Sequence, residues 1–351
     1  MCGITAVVAL DGRRIPKELI QKMTDAIAHR GPDAEGFYHH PGLALGHRRL
    51  SVIDLSDKGN QPMPYKNLRI VYNGEIYNFK EIRQELKAVG YAFSSETDTE
   101  VVLAAYDFWG EDCVAHFNGM WAFVIYDQAN NRLFASRDRF GIKPFYWRKS
   151  AHFFAMVSEP KQLTYLPDWH PKLNKKRAFD FLSLGYHLHT RETLFDDVFA
   201  LPAGSNLIFD LSEKTYRINR YYDLSKVETI NNITFEQAVF KFRELFEDAV
   251  RLRMISDVKV GSALSGGLDS SSIVCEMTEL GHSVETVSAC FSQDGYDERP
   301  WMDAVVKKTG VTSHQTFPDL NNFIQELDQM TWFHDEPIVW PALYTQYQVF
   351  R

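Results

Sequence analysis

Several features that mark common protein classes are scarce or missing in this sequence. No apolar run approaches the roughly 20 residues that a transmembrane helix needs. The formal net charge of -8, without a basic stretch, argues against a nucleic-acid-binding surface. The N-terminus has neither a basic segment nor a long apolar one, which argues against a secretory signal. We therefore expect neither a nucleic acid nor a membrane as a partner.

Cysteine is also rare, since only Cys2, Cys113, Cys275 and Cys290 occur in 351 residues. Their wide spacing matches neither a metal-ligand pattern nor a disulfide framework. A reducing compartment suits this usage best, and we expect the protein to be cytoplasmic. A cysteine with a special role must owe it to its position.

The length of the chain and a change of pattern predict two domains. Up to about residue 200, short apolar runs alternate with turn signals and helical stretches, which predicts an α+β sandwich. From residue 235, helix and strand patterns alternate, which predicts an α/β domain with a doubly wound parallel sheet. We expect domains at 1–211 and 233–351, joined by a connector at 212–232.

Cys2 becomes the terminal residue if Met1 is removed, and its small side chain permits that removal. It would then carry a thiol nucleophile and an α-amine whose unperturbed pKa is about 7.7–8.0. Such an amine can serve as the general base for the nucleophile. Taken alone, however, the presence of a cysteine directly after Met1 is more simply explained by chance.

Four further motifs follow Cys2: His29–Asp33, Gly46–Ser51, Tyr72–Asn78 and Thr97–Glu100. In this order they resemble the class II glutamine amidotransferases, whose glutaminase domain is an N-terminal-nucleophile hydrolase. The resemblance runs from Cys2 to about Gly204. It implies that Cys2 attacks the side-chain amide of glutamine, which gives a thioester and free ammonia.

The resemblance assigns Asn73 and Gly74 to the oxyanion hole, through the side chain of Asn73 and the backbone N–H of Gly74. Donors aligned in advance with the developing oxyanion usually make the largest catalytic contribution. Without their neighbours, Asn73 and Gly74 would instead predict a hairpin turn.

The resemblance also implies three residues that bind glutamine. Arg49 would bind the α-carboxylate, for which a guanidinium has the matching geometry. Glu75 and Asp98 would bind the α-ammonium, although Asp98 could equally cap a helix. We expect Arg30–Asp33 to shape the pocket wall and Arg137–Pro144 to form a structural turn with internal ion pairs.

A second motif, Ser265-Gly266-Gly267-Leu268-Asp269-Ser270, follows a predicted strand and opens a predicted helix. Its glycines expose backbone N–H groups at a helix N-terminus, which favours phosphate binding. An ordinary strand-to-helix turn would explain only one glycine and one capping residue. The motif is neither a Walker A loop nor a dinucleotide fingerprint. It resembles the pyrophosphate-binding loop of the N-type ATP pyrophosphatases, which implies cleavage of ATP to AMP and pyrophosphate.

This second resemblance assigns an ATP site and a Mg²⁺ ion to the second domain. Asp269 is the candidate for helping to place the metal. The ATP-binding residues that it implies are Leu264, Ser265, Gly266, Gly267, Asp269, Ser270 and Cys290. For Cys290, the role of a small buried apolar residue is preferred to any redox role.

A terminal-cysteine glutaminase followed by this loop is similar to the glutamine-hydrolysing asparagine synthetases. The resemblance implies that glutamine, ATP and aspartate are substrates, that β-aspartyl-AMP is the intermediate and that ammonia passes along a covered route. Relatives acting on another carboxylate, a glutaminase alone and a regulatory paralogue are the alternatives. A homodimer is also expected, whereas Glu298 and Glu336 receive no definite role. Because no later Ser-Gly-Glu-Gly-Ser-Asp-Glu motif precedes Arg351, we expect a C-terminally incomplete synthetase domain that forms no adenylate.

Overall fold

The structure, a computed structural model, describes residues 1–293, 295–338, 340 and 342–351. Within these residues the chain divides into two compact units, Met1–Glu228 and Thr229–Arg351. No helix in these ranges is both long enough and apolar enough to cross a bilayer.

The first unit is built on two six-stranded antiparallel sheets. Their strands, in chain order, are β1 (Gly3–Ala9), β2 (Ala34–His40), β3 (Leu43–Arg49), β4 (Met63–Tyr65), β5 (Leu68–Ile76), β6 (Gly119–Asp127), β7 (Arg132–Arg137), β8 (Tyr146–Lys149), β9 (Phe153–Val157), β10 (Phe199–Ala200), β11 (Ser205–Asp210) and β12 (Thr215–Arg220). One sheet has the order β10-β8-β9-β1-β3-β2, and the other has the order β12-β11-β7-β6-β5-β4.

The helices of this unit are α1 (Lys17–Asp25), α2 (Phe79–Ala88), α3 (Asp98–Trp109), α4 (Cys113–His116) and α5 (Lys175–Leu184). Helix α1 packs against the first sheet and α3 against the second. The main core lies between the sheets, and a second core lies between the first sheet and α1. Strand β1 shows the consequence, because Ile4 faces the core between the sheets while Val7 faces α1, and all seven of its residues are buried. A strand covered on both faces is largely apolar, as the sequence of β1 is apart from Thr5. The predicted α+β sandwich is confirmed.

The second unit contains a three-stranded parallel sheet in the order β13-β14-β15. Its elements are α6 (Phe235–Arg253), β13 (Gly261–Ala263), α7 (Leu268–Glu279), β14 (Glu285–Ala289), α8 (Arg299–Thr309), β15 (Thr312–Thr316), α9 (Leu320–His334) and α10 (Ala342–Phe350). Helices α7 and α8 connect successive parallel strands, as the alternating pattern predicts.

Two strands lie where the sequence gives little signal. Strand β12 falls within the predicted connector 212–232 and pairs with β11 along its whole length. Five of its six residues are exposed, so an alternation of buried and exposed side chains is absent. Strand β15 lies at a sheet edge and has the polar sequence TSHQT. Both strands pair through their backbones with a neighbour, and in β12 the side chains of Tyr216 and Ile218 also pack against the core.

Candidate active site

One pocket of the first unit brings together residues that are far apart in the sequence. It lies where the start of β1, the end of β3, the middle of β5 and the start of α3 converge. Strands β1 and β3 are neighbours in one sheet, β5 belongs to the other, and α3 contacts β5. The residues predicted for the glutaminase all line it: Cys2, Arg49, Asn73, Gly74, Glu75 and Asp98.

The thiol of Cys2 lies against the backbone of Leu50. The N–H of Leu50 is directed at Cys2 Sγ, at 3.4 Å, and Sγ lies 3.6 Å from the carbonyl oxygen of the same residue. Burial raises the pKa of the Cys2 thiol. A thiol in this environment needs a base to accept its proton before it can act as a nucleophile. Burial also lowers the pKa of the chain's α-amine, here on Met1, which favours the free-base form.

Asn73 does not form a turn. It lies within β5, where it is paired with Ala122 of β6, and it is 1% exposed. The orientation of the carboxamide that forms hydrogen bonds with both neighbours has its nitrogen donating to Cys2 O, at 3.1 Å, and its oxygen accepting from Arg30 Nη2, at 3.2 Å. The hairpin alternative for this Asn-Gly pair is therefore wrong, because pairing with β6 over nine residues holds this stretch extended.

The backbone N–H of Gly74 is directed away from β6. Its neighbours two residues away, Tyr72 and Ile76, donate their N–H groups to the side chains of Gln61 (2.6 Å) and Asp98 (3.0 Å). In an antiparallel pair, alternate residues direct their N–H groups to the same side of the strand. Gly74, midway between these two, thus directs its N–H to the side on which they bond rather than into the β5–β6 ladder.

Gly74 has no room for a side chain. A Cβ at this position would lie 2.8 Å from Cα of Trp121, and closer still to the carbonyl oxygen of Met120. Glycine is therefore required here by the close approach of β6 rather than by an unusual backbone conformation.

Arg49 contacts the loop that follows β3. Its Nη1 donates to Ser56 O (2.8 Å) and Asn60 Oδ1 (2.9 Å), and its Nη2 donates to Asp54 O. A Cβ on Gly59 would overlap the guanidinium. Arg49 thus lines the pocket and also holds this loop in place.

The two carboxylates of the pocket differ in their partners. Asp98 is the first residue of α3, and its Oδ2 accepts from Tyr72 Oη at 2.8 Å and from the N–H of Ile76. The capping alternative for Asp98 is wrong, because Thr97 is the N-cap and accepts from the N–H of Glu100. Burial raises the pKa of both Glu75 and Asp98. Two carboxylates in a partly desolvated pocket favour a cationic group on a ligand.

Lys143 is a pocket residue that the sequence did not identify. It is 4% exposed, and its Nζ lies 3.2 Å from Met1 Sδ. Burial lowers the pKa of its ammonium. The sequence placed it in a structural turn, and the motif before it is indeed a turn. That turn is held by hydrogen bonds to the backbone rather than by the predicted ion pairs: Asp138 accepts from the N–H groups of Ile142 and Lys143, and Arg137 donates to Gly141 O.

The phosphate-loop motif lies in the second unit, between β13 and α7. Gly267 is the N-cap of α7 and provides no side chain to cap the helix. Within the loop, Ser265 N donates to Ser270 Oγ at 3.2 Å, and the two hydroxyl groups lie 3.0 Å apart. Gly266 has a φ of +77°. These contacts fold the loop around the start of the helix, where N–H groups favour an anion.

The remaining residues predicted for the ATP site are divided between the surface and the core. Asp269 is exposed in the first turn of α7. Leu264 and Cys290 are buried in the core of this unit, which matches the preferred role of Cys290 as an apolar residue. In the ranges that the structure describes, no three His, Cys, Asp or Glu side chains are grouped to hold a metal ion. Protein sites for Mg²⁺ often use one carboxylate together with substrate phosphates, and Asp269 suits that arrangement.

Sequence comparisons cover both units. The glutamine amidotransferase domain family matches residues 1–222, and the asparagine synthase family matches residues 241–351. The Methanocaldococcus jannaschii protein named "Putative asparagine synthetase [glutamine-hydrolyzing] 2" is 37% identical over 96% of this chain and 68% of its own length. The chain belongs to the glutamine-hydrolysing asparagine synthetase family. Asparagine synthetase [glutamine-hydrolyzing] 3 of Bacillus subtilis is 33% identical over 96% of this chain and 57% of its own length. The chain thus spans between about half and two thirds of the length of these relatives.

Among solved structures, the glutamine phosphoribosylpyrophosphate amidotransferase of Bacillus subtilis is similar in fold. It is 12% identical, has a TM-score of 0.50 and covers 92% of both chains. At this identity the likeness concerns the fold alone. Together with membership of the asparagine synthetase family, this likeness supports the fold class predicted for the glutaminase domain.

Proposed function

We propose that this member of the asparagine synthetase family forms an amide in two steps that use glutamine and ATP. The first unit hydrolyses glutamine to glutamate and ammonia. The second unit uses ATP to activate an acceptor carboxylate, for which the β-carboxylate of aspartate is our choice. Ammonia then converts β-aspartyl-AMP to asparagine and releases AMP. We assign glutamine hydrolysis to Met1–Glu228 and binding of ATP to Thr229–Arg351. We place the enzyme in the cytoplasm because its four cysteines are free thiols.

The observation that carries the proposal is the convergence on one pocket of Cys2, Asn73 and Gly74 with two cationic side chains and two carboxylates. Glutamine has an α-carboxylate, an α-ammonium and a side-chain amide, and this pocket offers a group for each. Arg49 suits the carboxylate, although its Nη atoms already bond to the loop. Glu75 and Asp98 suit the ammonium.

In this mechanism Cys2 Sγ attacks the amide carbon of glutamine once Met1 has been removed. The α-amine of Cys2 accepts the thiol proton and transfers it to the leaving nitrogen, so that ammonia departs and a thioester remains. The Asn73 carboxamide nitrogen and the Gly74 N–H stabilise the oxyanion, because the nitrogen faces Cys2 and the N–H is directed away from the β5–β6 ladder. Water then hydrolyses the thioester to glutamate.

In the second unit, the N–H groups at the start of α7 would bind the phosphates of ATP. Mg²⁺, when bound, would neutralise phosphate charge, with Asp269 as the protein carboxylate beside it. Ser265 and Ser270 keep the loop folded around this helix end.

The test measures glutamate release from glutamine by the wild-type protein and by Cys2→Ala. We expect Cys2→Ala to lose hydrolysis completely, and intact-mass measurement to show that the active wild type lacks Met1. Cys275→Ala, in the second unit, serves as the matched cysteine control and should hydrolyse glutamine normally. Hydrolysis retained in Cys2→Ala, or full activity with Met1 in place, would refute the assignment of the nucleophile.

The acceptor and the ATP step need a separate measurement. Because the sequence predicts that residues 1–351 alone form no adenylate, pyrophosphate release is followed in the full-length gene product and in its Asp269→Ala variant. The assay contains ATP, Mg²⁺ and ammonium, with and without aspartate. Aspartate-dependent release that is lost in Asp269→Ala supports the assignment. If another carboxylate stimulates pyrophosphate release and aspartate does not, the acceptor is a different compound.

A further inference from the structure

A buried group of charged side chains lies behind the glutaminase pocket and not among its lining residues. Arg30 and Glu159 are 9% and 6% exposed, and Lys161 is 4% exposed. Arg30 follows α1 in sequence, whereas Glu159 follows β9, almost 130 residues later. Even a paired buried charge adds little net stability, because desolvation offsets the attraction, so this arrangement points to a role beyond stability.

Arg30 connects three partners through three different nitrogen atoms. Its Nε donates to Cys2 O at 2.9 Å, and its Nη2 lies 3.2 Å from Asn73 Oδ1. Its Nη1 donates to Glu159 Oε1 at 2.7 Å. The guanidinium thus links the backbone of the nucleophile, the side chain of the oxyanion donor and a buried carboxylate.

The chemistry of the guanidinium determines which end of the Asn73 amide faces the nucleophile. Arginine has only N–H donors, so it can bond the carbonyl oxygen of the Asn73 carboxamide but not its NH₂ group. With the oxygen held by Arg30, the NH₂ group is left on the side of Cys2, where a developing oxyanion needs a donor. The opposite orientation would present the oxygen, which would repel the oxyanion.

The orientation of Arg30 depends in turn on Glu159. The carboxylate also accepts from His29 Nε2 at 3.2 Å and forms an ion pair with Lys161. Burial favours its neutral form, but the hydrogen bond from His29 and the charges of Arg30 and Lys161 hold the pKa of Glu159 at about 2. The carboxylate is therefore ionised throughout the pH range in which a glutaminase can be assayed.

From these contacts we infer that Glu159 is a positioning residue of the glutaminase, which acts through Arg30 to fix the orientation of the Asn73 carboxamide. This inference rests on the proposed function of the first unit. Glu159 itself does not touch the substrate. Its removal should therefore affect stabilisation of the oxyanion much more than binding of glutamine.

The test compares the kcat and KM of glutamine hydrolysis in wild type and in Glu159→Gln. We expect kcat to fall roughly 10–100-fold, by analogy with residues that orient the ligands of metal sites, while KM stays within about threefold. Asp127→Asn is the matched control, because Asp127 is a buried carboxylate that bonds to Tyr106 and Arg132 away from the pocket. It should leave kcat unchanged.

A double-mutant comparison separates positioning from a general structural role. In an Asn73→Ala background, Glu159→Gln should lower kcat only slightly further, because its effect passes through the missing carboxamide. Thermal unfolding is followed for every variant. If Glu159→Gln does not fold, Glu159→Asp replaces it, since it retains the charge and should show a smaller loss of kcat with the same KM.

Three results would overturn the inference: an unchanged kcat in Glu159→Gln, a change confined to KM, or full additivity with Asn73→Ala. A wild-type protein that hydrolyses no glutamine would instead refute the proposed function, and the inference with it.

Discussion

Replacement of Asn73 by alanine tests the central element of the proposed site. The carboxamide is 1% exposed and lies 3.1 Å from Cys2 O and 3.2 Å from Arg30 Nη2. Its removal deletes one of two proposed oxyanion donors, which typically costs roughly 10²–10³ in kcat, or about 2.7–4 kcal/mol of transition-state stabilisation. Arg49, Glu75 and Asp98 keep their places, so KM should change no more than about threefold.

The same substitution should have a limited effect on stability. Pairing of β5 with β6 uses the backbone and survives the loss of the side chain. Arg30 loses one acceptor in a buried site, which costs about 1–3 kcal/mol in the free energy of unfolding.

The assay combines steady-state kinetics of glutamate release with thermal unfolding. Asn206→Ala is the matched control, because Asn206 is a buried asparagine on β11 of the same sheet. It should leave kcat at the wild-type value. If Asn73→Ala raises KM and keeps kcat, Asn73 binds substrate and our assignment is wrong.

Two further predictions concern His47 and Gly266. Burial lowers the pKa of His47 from 6.5 to about 4. As the pH falls below 6.5, the unfolded chain therefore binds a proton at His47 that the folded chain does not. The first unit should lose up to about 3 kcal/mol of unfolding free energy between pH 6.5 and pH 4. A denaturant titration in which His47→Gln keeps the whole wild-type pH dependence would contradict this. Gly266 has a φ of +77°, and a Cβ there would lie 2.9 Å from Cβ of Trp301. Gly266→Ala should therefore lower the melting temperature of the second unit more than Gly281→Ala. At Gly281 φ is +84°, but no atom lies within 4 Å of the added Cβ. Equal losses of melting temperature would show that the contact with Trp301 is relieved without cost.

Much of the fold could be predicted because it depends on local patterns. Helix α3 begins at Asp98 and ends at Trp109, and both ends carry local signals, since Thr97 is its N-cap and Gly110 follows its last residue. The alternation of strands and helices after residue 235 predicts the parallel sheet. Strands β12 and β15 could not be predicted from the sequence, because their positions depend on pairing with a neighbouring strand.

The sequence by itself indicated the family, a change of pattern along the chain and the motifs of both candidate sites, because these depend on runs of adjacent residues. Only the tertiary structure decided how Asn73 and Gly74 are used, since pairing with β6 overrides the turn preference of Asn-Gly. It also placed Lys143 in the pocket and Glu159 on Arg30. Contacts between residues more than 100 positions apart leave no periodicity or spacing in the chain, because they arise only when strands distant in sequence pair in a sheet or when the sheets pack against each other.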